Sequence, residues 1–113
     1  KAAINGNRRA EYNIGKMYRD GIGTEASLEK AVDWYRRSAV QGYAKAQASL
    51  ALRYAKGEGV EQDMVTAFFW MTMAAEQGLP RALTSRTKLA EEMSAADIEA
   101  ARERIAEWKT GSD

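Results

Sequence analysis

The sequence contains no cysteine and no histidine among its 113 residues. Thiol nucleophiles, disulfides, imidazole bases and almost every zinc site are excluded with them. Proline occurs once and glycine nine times, which suits helices joined by short glycine turns better than many-stranded β structure. No apolar run reaches the roughly 18 residues that a membrane-spanning helix needs, so direct membrane insertion is not expected. An excess of one charge is missing too. Seventeen Lys and Arg stand against sixteen Asp and Glu, net +1, and bulk charge therefore points to neither nucleic acid nor a membrane surface. What is present, 45% hydrophobic and 29% charged residues, fits one globular domain and excludes disordered and fibrous classes. The chain begins at Lys1 with no apolar signal region and reads as a piece of a longer protein.

Internal repetition organises the rest. Gly6, Gly42 and Gly78 recur at one period, and residues 6–41 laid over 42–77 match without a gap. Ala10 pairs with Ala46, Tyr18 with Tyr54, Gly21 and Gly23 with Gly57 and Gly59, Ala31 with Ala67, Trp34 with Trp70, and Ala39 with Ala75. The chain thus divides into 1–6, the tail of a preceding repeat; two repeats, 6–41 and 42–77; and 78–113, a partial repeat with a C-terminal capping helix. Each repeat reads as a helical hairpin. Ala10, Ile14, Met17 and Tyr18 recur at helical spacing with Asn7 as N-cap, and Gly21-Ile22-Gly23 ends that helix. Ser27 caps a second helix whose Leu28, Ala31, Val32, Tyr35 and Ala39 form an apolar stripe, and Asp63 takes the same place in the second copy. Pro80 suits a first helical turn, and Ser94 to Asp97 has the spacing of a capping box before a last helix carrying Ile98, Ala101, Ile105 and Trp108 on one face. Alanines at 10, 31, 39, 46, 67 and 75 are placed for close helix approach. One hairpin cannot bury its own apolar face, so the expected fold is all-α: an α-solenoid of stacked hairpins closed by a C-terminal helix.

The pattern Ala10-x3-Ile14-Gly15-x2-Tyr18-x2-Gly21-x-Gly23, continued by Lys30-Ala31-x2-Trp34-Tyr35-x3-Ala39-x-Gln41-Gly42, resembles the Sel-one-like repeat, a relative of the tetratricopeptide repeat. The second copy departs from the family pattern at Ala51, where Gly is usual, at Thr66, where Lys is usual, and at Met71, where Tyr is usual. The resemblance implies assembly or regulation of complexes, most often in bacterial proteins, including exported ones.

Other chemistry reads as structure. Both Gly-x-Gly turns follow helices, whereas a phosphate loop follows a strand. Glu25, Glu58, Glu61 and Asp63 gather at the turns, where carboxylates beside helix N-termini serve the helix dipole, and no calcium-loop spacing joins them. No enzyme activity, metal or cofactor is expected. The Phe68-to-Met73 segment is apolar further round its surface than repeat one, and the last helix is expected to cover it. The first helices of the three pairs carry a basic surplus, which the remaining segments balance. By analogy with tetratricopeptide-like arrays, first helices line a concave face. The expected partner-binding positions there are Arg9, Tyr12, Asn13 and Lys16, then Lys45, Ser49 and Leu52, then Arg81, Ser85 and Lys88. Tyr12 would be an aromatic anchor, and Arg9, Lys45 and Arg81 a basic ladder for a protein or peptide with acidic segments. The alternative function is an inhibitory domain that occludes one enzyme.

Overall fold

The computed structural model describes residues 2–111, with side chains described from residue 7 onward. The helices are α1 (Ala2–Asp20), α2 (Leu28–Val40), α3 (Ala44–Lys56), α4 (Met64–Glu76), α5 (Pro80–Glu91) and α6 (Ala95–Gly111). No strand occurs among the described residues. The chain is an all-α helical-repeat solenoid.

The glycine turns work as the sequence predicts. In the first, the Ile22 amide donates to the Met17 carbonyl and the Ser27 amide to that of Tyr18. In the second, the Glu58 amide donates to Arg53 and the Asp63 amide to Tyr54. Ser27 and Asp63 cap α2 and α4 by accepting from the Lys30 and Thr66 amides at 3.2 and 3.0 Å. Gly59 is required twice over. Its φ is +79°, and a Cβ there would stand 2.5 Å from the Leu28 carbonyl oxygen of the preceding repeat.

The N-terminus of the first hairpin differs from expectation. The helix runs unbroken through Gly6 and Asn7, so Asn7 is an internal helical residue and caps nothing. A single Gly within a helix costs only about 1 kcal/mol, which continued backbone hydrogen bonding offsets. Ala10 is exposed, unlike its equivalents Ala46 and Ala82, which are fully buried. Leu28 and Met17 are likewise more open than the apolar stripes imply.

Each helix packs on the next from α1 to α5, and α6 lies against α4. Tyr35, Leu50, Met71 and Val32 form the fully buried centre. Polar side chains tie the helices to one another. The Ser38 hydroxyl donates to the Arg8 carbonyl at 2.6 Å, and the Gln47 amide donates across the repeat boundary to Ala39 at 3.1 Å. Gln41 donates to Glu11, and its repeat equivalent Gln77 donates to Gln47.

Candidate partner-binding surface

Residues at i, i+4 and i+7 share one face of a helix. Arg9, Asn13 and Lys16 take those places on α1, Lys45, Ser49 and Leu52 on α3, and Arg81, Ser85 and Lys88 on α5. All nine are exposed or half-buried. In the repeat alignment the nine positions fall into three equivalent columns, one member of each on every first helix.

Tyr12 is not among them. It is only 7% exposed, with its ring 5.8 Å from that of Tyr35 and 5.3 Å from that of Tyr43. An aromatic ring at position i+3 leans toward the hairpin core, and two further tyrosines complete the cluster. Tyr12 is therefore a core residue, and the exposed anchor expected from the sequence is absent. Lys16 stacks over its outer side, 5.2 Å from the ring centroid.

Among the described residues the cations of the columns make no ion pair. The ion pairs among the described residues join Arg19 to Asp20, Arg36 to Asp33, Arg53 to Glu58 and Lys109 to Glu76. Arg9, Lys45, Arg81 and Lys88 take part in none of them. The structure gathers Leu52, Ser85 and Lys88 into one shallow groove of about 280 Å³ between α3 and α5. Lys56, Met64 and Glu92 complete its rim, and sequence reasoning did not single them out. Met64 had a signal: it is the repeat equivalent of Leu28, a stripe position that this fold leaves partly open. Lys45 lies in a separate depression of about 380 Å³ between the turns at Gly42 and Gly78. Arg8 lines that depression too, although its guanidinium is anchored to the Gln41 carbonyl at 2.7 Å. Arg9 and Arg81 line neither.

Two of the clustered carboxylates, Glu58 and Asp63, have structural partners. Glu58 pairs with Arg53 at 3.3 Å. Burial pushes the Asp63 carboxyl up, but hydrogen bonds from the Thr66 amide and hydroxyl, with the Arg104 charge, outweigh it and hold it below the usual carboxylate range. Among the described residues no group of three acidic side chains is placed to hold a metal ion.

Three comparisons place the chain. The Sel1 repeat family model matches residues 8–43 and 44–79. A Sel1 repeat protein of Oxalobacter formigenes superposes with a TM-score of 0.73 at 42% identity, over 76% of this chain and 35% of that one. The protein c5321, described as a protective antigen of uropathogenic Escherichia coli with an SLR fold, gives 0.69 at 30% identity, over 85% of this chain and 25% of that one. A sel1-like repeat-containing protein of Acanthamoeba polyphaga mimivirus is 45% identical over 38 residues, 34% of this chain and 6% of its own length. The chain spans about a third or less of each of these proteins. Two consecutive matches to one repeat, joined by the same fold in solved relatives, make this chain a member of the Sel1 repeat family.

Proposed function

We propose that the chain is a non-catalytic scaffold module that holds an acidic segment of a partner protein along the three columns of its first helices. Sel1 repeats generally mediate protein–protein interaction. The observation that carries the finer reading is the set of cations at one repeat position, Arg9, Lys45 and Arg81, all exposed and all outside the ion pairs of the described residues.

Packed helices lie roughly 10 Å apart, and each first helix is joined to the next through the second helix that packs on both. A peptide in the polyproline II form repeats every three residues and advances about 3.1 Å per residue, so carboxylates at every third residue line one face at a spacing close to one such packing step. The contacts are charge-assisted yet open to water, so each contributes modestly and salt weakens them within a Debye length of about 8 Å. The test is the affinity of an extended peptide of about twelve residues with glutamate at every third position, measured by calorimetry at low and high salt. Reversing Arg9, Lys45 and Arg81 to Glu is expected to abolish binding and leave helicity intact. Equal binding by the triple variant, or binding indifferent to salt, would move the site elsewhere.

A further inference from the structure

The third helix pair does not close as the first two do. α6 leans on α4, and between α5 and α6 it leaves a wedge of about 440 Å³ floored by α4. Phe68 and Thr72 form the floor, Ala90 and Ile105 the walls, and Arg86 and Arg102 stand on opposite sides, one from each helix. The repeat register explains the opening. Arg86 occupies the position that Leu50 fills in the second repeat, where the side chain is fully buried. Closing α5 on α6 as α3 closes on α4 would bury an unpaired guanidinium, so the pair stays apart.

The lining has unsatisfied capacity of a definite kind. Arg86 and Arg102 take part in none of the ion pairs among the described residues. Glu76, the carboxylate in the lining, is held by Lys109 at 2.8 Å. Thr72 is buried, and its hydroxyl has no hydrogen-bond partner among the described residues. The wedge is thus an apolar floor between two uncommitted cations.

We propose that the wedge is a second docking site, distinct from the first-helix columns, and that its occupant is a short stretch of a partner protein in which an apolar residue is flanked by acidic ones. The apolar side chain lies on Phe68 and Ile105, and a carboxylate reaches each arginine. The volume suits two or three side chains and is too small for a whole helix. Charge complementarity sets the choice of partner, because the two arginines reject a basic segment as strongly as they attract an acidic one.

The test is a titration of the isotopically labelled chain with a peptide of about six residues that alternates aspartate and leucine, followed through backbone amide shifts. The largest shifts are expected at Phe68, Thr72, Arg86 and Ile105. The double variant Arg86→Glu/Arg102→Glu, checked for unchanged helicity and melting, is expected to lose about tenfold or more in affinity and to bind the same peptide with lysine in place of aspartate. Shifts confined to α1 and α3 would overturn this site while leaving the first-helix reading in place. Absence of binding, equal affinity of the double variant, or equally tight binding of octanoate would overturn it as well.

Discussion

A Cβ on Gly15 would stand 2.7 Å from Cδ1 of Tyr35, closer than packed carbon atoms come. The glycine exists to let a tyrosine ring lie flat against α1. In the second repeat the two equivalent positions are Ala51 and Met71, both buried. These are two of the three departures from the family pattern, and the structure makes them one event: the thinner, flexible methionine leaves room for a methyl group. Gly15→Ala should therefore cost roughly 2 kcal/mol through overpacking. Tyr35→Met in the same chain should recover most of it, since it relieves the clash and removes a buried hydroxyl without a partner. Urea unfolding of the single and double variants measures the coupling; additive losses would mean that the two sites are independent.

Asp63 offers a second residue-scale prediction. Its folded pKa is lowered, so its contribution to stability is present above the unfolded value of about 3.9 and is lost as pH falls through the folded value. Asp63→Asn keeps a capping oxygen without the charge. The variant should melt lower than the parent at neutral pH, and the gap should close as pH falls through the parent's lowered folded value and its carboxyl protonates. A gap that persists in acid would mean that the charge is not what Asp63 contributes. At this scale the Ser27 and Asp63 caps were legible from spacing, whereas Asn7, expected to cap, lies inside α1. The Tyr12 ring was not, because helical phase assigned it to the outer face while its size and its two tyrosine neighbours turned it inward.

Among the elements, α6 shows how the array is closed. Sequence alone indicated a helix with one apolar face placed over the apolar second repeat, and the structure seats it there. Trp108 meets Phe69 and Trp70 edge-on, each at 5.6 Å, and Arg104 stacks on Phe69 while donating to the Thr66 hydroxyl at 2.7 Å. Through Thr66, which itself donates to Asp63 at 2.7 Å, the last helix is joined to the cap of α4. The degree of burial was not legible. Trp108 keeps 36% of its surface exposed beside Val40, which keeps 49%, and Ala101 is the fully buried contact. Trp108→Ala should accordingly cost roughly 2 kcal/mol, less than the 3–5 kcal/mol of a fully buried indole. Thermal melting checks the magnitude, and an unchanged midpoint would make the end of α6 a loose tail.

The whole molecule measures 42 × 31 × 23 Å with a radius of gyration of 13.9 Å, slightly above the roughly 13 Å of a globule of this length. Five helices packed each on the next, with a sixth laid back on the fourth, give a centre of stability off the middle of the sequence. Repetition made the stacking legible. The apolar Phe68-to-Met73 segment already pointed α6 toward α4; what neither signal showed is that α5 and α6 stay apart, with Arg86 at a position where the other repeats carry Ile or Leu. The consequence is that α4 touches α3, α5 and α6, whereas α1 packs chiefly on α2. In a repeat array stability follows nearest-neighbour interfaces, and local opening begins where they are fewest. Amide hydrogen exchange should then be slowest in α4, where buried residues run from Thr66 through Thr72, intermediate in α2 and α3, and faster in α1, α5 and α6, each of which packs chiefly on one other helix. Arg104→Ala should speed exchange at the first turns of α4 and leave α1 and α2 unaffected, because it cuts the link from α6 to the Thr66 hydroxyl. Slowest exchange in α1, or a uniform response of all six helices to that substitution, would show the chain to unfold as one cooperative block and not from its ends inward.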